Sequence, residues 1–313
     1  MARTRRGRPV NGILLLDKPA GMTSNRALRQ VSRWLDARKA GHTGSLDPLA
    51  TGLLVLCFGE ATKFSGGLLA ADKQYQATAR LGVTTRSADA DGEVLERRAV
   101  PALDDDRLEQ VVARFRGPIE QIPPMVSALK HQGRRLHELA RAGIEVPRAP
   151  RRVHIHRLRA RRAGADRLEL QVDCSKGTYI RSLVADIGAA LGCGAHVEAL
   201  RRTALGPFRA PAMITLAALE ARAAAAPAQL DDWLLPPDAA LADYPAVSLA
   251  AAAAARFGQG QAVPATRPAA AAPGTAAAVR VYAASGEFLG VGESGADGVV
   301  KPRRLLVQQD GRG

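Results

Sequence analysis

Between Arg134 and Arg162 the chain carries ten arginines against two acids, Glu138 and Glu145, a net +8 in 29 residues. No hydrophobic core can absorb such a segment, because each unpaired guanidinium would have to leave water. The segment must therefore lie on the surface, and the core must come from the sequence on either side of it. A charge run is usually a solvated face. One this dense fits a phosphate-tracking surface, since the planar Arg fork donates two hydrogen bonds at once. The whole chain repeats the bias: 44 Lys plus Arg against 30 Asp plus Glu leave +14. That balance predicts a polyanionic partner and says nothing about fold. Coding bias is the plain alternative in a chain so rich in Ala and Arg.

The flanking sequence supplies short apolar elements of two periods. Val10–Leu16, Leu53–Phe58 and the alternating Tyr75–Leu81 and Leu168–Cys174 read as strands. Helical stripes follow Ser24, which can cap Ala27, Val31 and Leu35, then recur over Asp105–Phe115 and from Ile180 to Leu191. A short helix is expected near Arg135–Ala142, and Arg38–Gly52 reads as a Gly-rich loop. Residues 1–9 read as a solvated basic arm. Asp238–Pro245 looks like a junction, Pro264–Ala278 is Ala/Pro-rich low complexity, and Val279–Ala283 with Phe288–Glu293 reads as a hairpin. Leu305–Val307 is a further strand candidate. With 47% hydrophobic residues the chain has material for a full core. The length suggests two domains, or one large domain with an appendage.

Several chemistries are excluded. No apolar run approaches the ~18 residues of a membrane span. Cys57, Cys174 and Cys193 are too few for a disulfide framework and fit a reducing cytosol. There is no C-x-x-C, no H-E-x-x-H, no P-loop and no G-x-S-x-G; His154 and His156 share a strand face but fall short of a metal site. What remains is the loop from Ala40 to Gly52, with His42 and Asp47. Asp47 before Pro48 has an ordinary reading as a helix N-cap with proline at the first helical position. Its functional reading is a carboxylate and an imidazole presented by a Gly-rich backbone to something that approaches closely.

Gly12–Pro19, Gly21–Ser24 and Gly41-His42-Thr43-Gly44-Ser45-Leu46-Asp47-Pro48-Leu49-Ala50-Thr51-Gly52 together resemble the bacterial TruB family of tRNA pseudouridine synthases. Further matches are Gly59–Lys63, Lys73-Gln74-Tyr75, Gln121-Ile122-Pro123-Pro124, Cys174–Arg181, Gly194–Val197 and Leu200-Arg201-Arg202. The resemblance runs from about Asn11 to Pro237 and continues weakly to the end; the N-terminal Arg arm and the Ala/Pro tract depart from the family pattern.

The resemblance implies isomerisation of the T-loop uridine at position 55 of tRNA, with no cofactor and no metal. Asp47 would be the catalytic carboxylate and Arg181 its cationic partner. Tyr75 would stack on the target uracil, Tyr179 and Leu200 would line its pocket, and His42 would take the flipped base's place in the loop stack. Lys18 would have a structural role near the site. The implied fold is α+β: a mixed, largely antiparallel sheet over residues 10–237, an RNA-gripping thumb near 124–152, and a small PUA-like β-rich domain over 238–313. Arg134, Arg135, Arg141, Arg148, Arg151 and Arg152 are then candidate backbone contacts. The implied partner is the T-arm stem-loop of tRNA, met by a cytoplasmic monomer. An RNA-binding module or folding chaperone with an incidental catalytic set is the competing expectation, and a guide-RNA-directed relative is a third.

Overall fold

Alternating and continuous apolar runs both end in one sheet. The computed structural model describes residues 7–127, 129–265 and 277–306. Ten strands make the larger sheet: β1 Gly12–Lys18, β2 Ala40–Thr43, β3 Thr51–Phe58, β4 Lys73–Leu81, β5 Gly117–Gln121, β6 Arg151–Arg162, β7 Arg167–Cys174, β8 Ala195–Leu205, β9 Phe208–Arg209 and β10 Ile214–Thr215. The order is β10-β1-β3-β8-β4-β7-β6-β5, with β2 beside β3 and β9 beside β8. Only β1/β10 and β3/β8 pair in parallel. The sheet is thus mixed and largely antiparallel, and the fold is α+β.

The central strands differ from the outer ones in a way their sequences explain. In β3, Thr51-Gly52-Leu53-Leu54-Val55-Leu56-Cys57-Phe58 is apolar nearly throughout and buried on both faces. Leu54, Leu56 and Phe58 join one core with α1 (Ser24–Trp34), while Leu53, Val55 and Cys57 join a second with Leu68, Leu205 and Phe208. In β7 every second residue is buried, as alternation demands of a sheet with one covered face. That face carries α3 (Asp105–Ala113) and α5 (Ile180–Leu191), whose Leu108, Val111, Leu183 and Ile187 enter the first core. Two short helices, α2 (Ser65–Ala70) and α4 (Leu136–Arg141), lie between. A second sheet holds five strands, Ala246–Leu249, Val263–Pro264, Ala277–Ala283, Phe288–Ser294 and Val299–Leu305, around its own core of Val247, Phe257, Val279 and Val281.

Several expectations need correction. The N-cap of α1 is Thr23, not Ser24; Thr23 Oγ1 accepts from the Arg26 amide. Part of the expected 38–52 loop is strand β2. Asp47 caps no helix, since residues 44–50 are irregular. The Arg-dense tract is divided: its second half is β6, a ladder strand paired on both sides, so the excursion from the sheet ends at Pro150. Arg8 is not part of a solvated arm; it bridges to Ala37 and pairs with Asp231. The arm's residues 1–6, most of the Ala/Pro tract and Val307 lie outside the described residues, and the last strand begins earlier than expected, at Val299.

Candidate active site

Arg181 stands in the first turn of α5 and is only 3% exposed. Its guanidinium grips Asp47 twice, Nε to Oδ2 at 2.9 Å and Nη2 to Oδ1 at 3.1 Å. The remaining donors go to the Ser87 carbonyl at 2.9 Å and the Val126 carbonyl at 2.7 Å, with Asp89 Oδ2 at 3.5 Å. One buried cation therefore ties together four segments remote in sequence. Burial pushes the Asp47 carboxyl above its ordinary range, and Arg181 opposes this; the like charge of Asp89 adds to the rise.

The loop that carries Asp47 is held from three directions. Ser24 Oγ accepts from the Leu46 amide at 2.8 Å and donates to the Leu46 carbonyl at 3.1 Å. Lys18 Nζ donates to the carbonyls of Pro19, Met22 and Pro48 at 2.7, 2.6 and 3.3 Å. Lys18 is fully buried, and that burial lowers its pKa to about 8. Arg202, 1% exposed, donates from Nη2 to the Gly44 carbonyl at 2.9 Å and from Nε to the Leu53 carbonyl at 2.7 Å. Gly44 adopts φ +76°, a left-handed turn that suits glycine.

Around Asp47 lies a cavity of about 420 Å³ whose walls include His42, Tyr75, Tyr179, Arg181 and Leu200. The structure thus gathers all six residues named for the chemistry and for the base. Tyr75 comes from β4, and its phenol is kept neutral by burial. Tyr179 is the N-cap residue of α5. Its backbone is fixed by Gln121, whose Oε1 accepts from the Tyr179 amide at 3.0 Å and whose Nε2 donates to its carbonyl at 3.2 Å. His42 comes from β2; burial lowers its pKa, and its Nδ1 is buried with no hydrogen-bond partner among the described residues. A neutral ring with an unmet polar atom is costly for stability alone. A carboxylate, two aromatic rings and an apolar Leu200 around that volume suit a planar, hydrogen-bonding heterocycle next to an anionic catalyst.

The named arginines are not gathered there. Arg134, Arg135 and Arg141 are exposed on a small hairpin and α4, and Arg151 and Arg152 are exposed at the start of β6. Arg148 turns inward, donating to the Pro123 carbonyl at 3.2 Å and pairing with Glu145 at 3.0 Å. Sequence reasoning missed four side chains. Asp89 looked like an ordinary acidic turn, yet its predecessor Ala88 has φ +59°, a strained value for a residue with a Cβ. Lys73 and Arg202 lay inside quoted motifs without a role, and Gln121 was only a match. Both cations stand in strands of mixed polarity, Lys73-Gln74-Tyr75-Gln76 and Arg201-Arg202-Thr203, so no pattern singled them out.

Three family models cover most of the chain. Residues 32–180 match the N-terminal domain of TruB family pseudouridylate synthase, residues 181–242 a tRNA pseudouridylate synthase B C-terminal domain, and residues 245–306 the C-terminal model of pseudouridine synthase II TruB. The chain is 53% identical over 306 residues to tRNA pseudouridine synthase B of Chromohalobacter salexigens, covering 98% of this chain and 97% of that one. It is 52% identical over 313 residues to the protein of the same name from Nitrosococcus oceani, covering 99% and 100%. Among solved structures, a chain of a Cbf5-Nop10-Gar1 complex superposes with a TM-score of 0.69 at 27% identity, over 95% of this chain and 84% of that one. A chain of an H/ACA RNP bound to a substrate RNA containing 2′-deoxyuridine shares the fold, with a TM-score of 0.72 at 24% identity over 99% and 92%. With the match extending over nearly the full length of its relatives, this chain belongs to the TruB family of pseudouridylate synthases.

Proposed function

We propose that this protein isomerises the T-loop uridine at position 55 of tRNA to pseudouridine, with Asp47 as the catalytic carboxylate. The observation that carries the reading is the Arg181 fork on Asp47 at the wall of a cavity of about 420 Å³, room enough for a flipped nucleotide. The uridine must leave its stack to reach a carboxylate so enclosed, at a cost of a few kcal/mol. His42, neutral and with a free ring nitrogen, supports the vacated stack. Tyr75 stacks on the uracil, and Tyr179 and Leu200 line its pocket. The C1′–N1 bond then breaks, the ring turns, and C5 bonds to C1′; the C5 proton is lost and N1 gains one, with Tyr75 beside the ring to assist. Atoms balance without oxidant, energy donor or cofactor. Arg181 keeps Asp47 ionised although burial favours its neutral form.

We assign residues 10–237 to the catalytic domain, with the thumb as the excursion between β5 and β6, and residues 238–313 to an RNA-binding domain. The thumb's exposed Arg134, Arg135 and Arg141, with Arg151 and Arg152 at its base, suit the phosphates of a T-arm stem-loop. A monomer in the cytoplasm, where tRNA resides, completes the reading. The experiment is incubation with an isolated T-arm stem-loop, followed by chemical mapping of pseudouridine. Modification confined to the T-loop uridine is expected; an unmodified loop despite tight binding would leave an RNA-binding module instead.

A further inference from the structure

We propose that the exposed face of α1 is a second RNA-backbone surface, one that holds the part of the substrate outside the hairpin containing the target uridine. This rests on the tRNA-modifying reading above. Arg26, Arg29 and Arg33 recur at i, i+3 and i+7 and so share one face, a stripe about 10 Å long. The opposite face, with Ala27 and Val31, is buried. All three arginines are exposed, and none of them has a side-chain hydrogen bond or ion pair among the described residues. Residues 24–39 hold five cations and one acid, Asp36.

Helix energetics account for Arg33, a cation in the last turn of α1 where the macrodipole favours it, but not for the rest of the stripe. The first turn of α1 has no acid, and Arg26 occupies its third position, where the macrodipole disfavours a cation. Many other arginines here are paired with carboxylates, among them Arg80, Arg86, Arg116, Arg161 and Arg167. Arg26, locally unfavourable and without a compensating contact among the described residues, and its unpaired neighbour Arg29 point to an external anion.

Placement says which anion. The start of α1 clamps the catalytic loop through Ser24 and Leu46, and α1 packs on β2, the strand of His42. The cavity is lined both by Ser127, in the excursion between β5 and β6, and by His42 of β2. The phosphates of the hairpin are assigned above to the thumb cations Arg134, Arg135 and Arg141, so the stripe on α1, a separate element, is assigned to RNA outside that hairpin.

The test compares salt dependence of binding for a full-length unmodified tRNA transcript and for the isolated hairpin. The variants are R26Q/R29Q/R33Q and a control of equal charge, R97Q/R107Q/R114Q, at exposed positions of other elements. Three lost phosphate contacts should flatten the log–log slope by about 2 on the full-length transcript. The hairpin slope should change by less than one contact, and the control should change neither. An unchanged slope with the full transcript overturns the proposal. So does equal flattening by the control, or equal flattening on the hairpin. A wild-type protein that forms no pseudouridine refutes the enzymatic reading instead, and leaves the slopes readable.

Discussion

Arg181 is 3% exposed and sits between the carboxylates of Asp47 and Asp89, so its removal strands two acids. Breaking a buried pair from one side costs about 3–5 kcal/mol, and Asp47, 35% exposed in its side chain, places this case near the lower end. The pH consequence has a definite sign. Burial raises the Asp47 pKa and Arg181 lowers it. In Arg181→Met the lowering is lost, so less carboxylate is ionised at a given pH, and the acid limb of the kcat/KM profile should move to higher pH. A profile that loses height without moving would dissociate Arg181 from Asp47 ionisation. Asp47→Asn should lose about 10⁴–10⁶ in kcat while tRNA still binds. Because Asp47 caps no helix, a variant within tenfold of wild type, only ~1.4 kcal/mol of barrier, could not be explained by retained capping and would refute the assignment. Asp47 and Arg181 were legible because each stood in a long motif, and Tyr75 because its short match, Lys73-Gln74-Tyr75, fell in order between them. Asp89 was not: Asp89–Glu93 reads as an acidic surface turn, and nothing in it announces the positive φ of Ala88 or the contact of the Asp89 carboxylate with Arg181.

Helix α1 shows how an element transmits order to the loop it abuts. Thr23 and Ser24 look interchangeable in sequence, and the expectation gave the cap to the wrong one. Thr23 satisfies the helix, whereas Ser24 turns inward to meet both backbone polar groups of Leu46. The two predictions separate accordingly. Thr23→Ala should cost about 1 kcal/mol in denaturant unfolding and leave single-turnover rates near wild type. Ser24→Ala strands a buried amide and a carbonyl beside Asp47, costing about 1–3 kcal/mol, and should also slow turnover at least tenfold. If both variants lose stability and neither loses rate, Ser24 does not position the loop. Period-2 alternation made β4 and β7 readable, and the continuous apolar run made β3 readable. Strand β6 was read only around His154 and His156, and its full extent was obscured because its exposed face is a charge ladder, with only Val153, Ile155 and Leu158 buried along twelve residues. Composition there spoke for the partner and masked the fold. Replacing the thumb cations Arg134, Arg135 and Arg141 with Gln should flatten the salt dependence of hairpin binding by about 2 log units per log salt, the complement of the α1 result.

At the scale of the molecule, two sheets with separate cores are joined by a third, smaller cluster. Phe64, from the turn after β3, is 5% exposed and packs with Leu241 and Val291, its ring 5.8 Å from that of Phe288. Polar ties flank it: Lys63 Nζ donates to the Leu305 carbonyl at 2.8 Å, and the Tyr282 hydroxyl donates to Asp238 at 2.6 Å. Sequence reading found a junction at Asp238 and a β-rich remainder, but no pattern of period 2 or 3.6 marks Phe64 as a seat for a distant strand. The cluster makes unfolding of the two sheets interdependent. Phe64→Ala leaves a void in a small interface; large aromatic truncations in cores cost about 3–5 kcal/mol, and most of that should appear as lost coupling. Calorimetry should then show two transitions where the wild type shows one. Because Phe64 lies outside the set around Asp47, hairpin turnover should stay within tenfold of wild type, while affinity for full-length tRNA falls as the second sheet loses its fixed position. A variant that melts in one transition at an unchanged temperature would mean that the cluster fills space without coupling the domains. One that loses hairpin turnover outright would place the seat of the second sheet in the active site's own support.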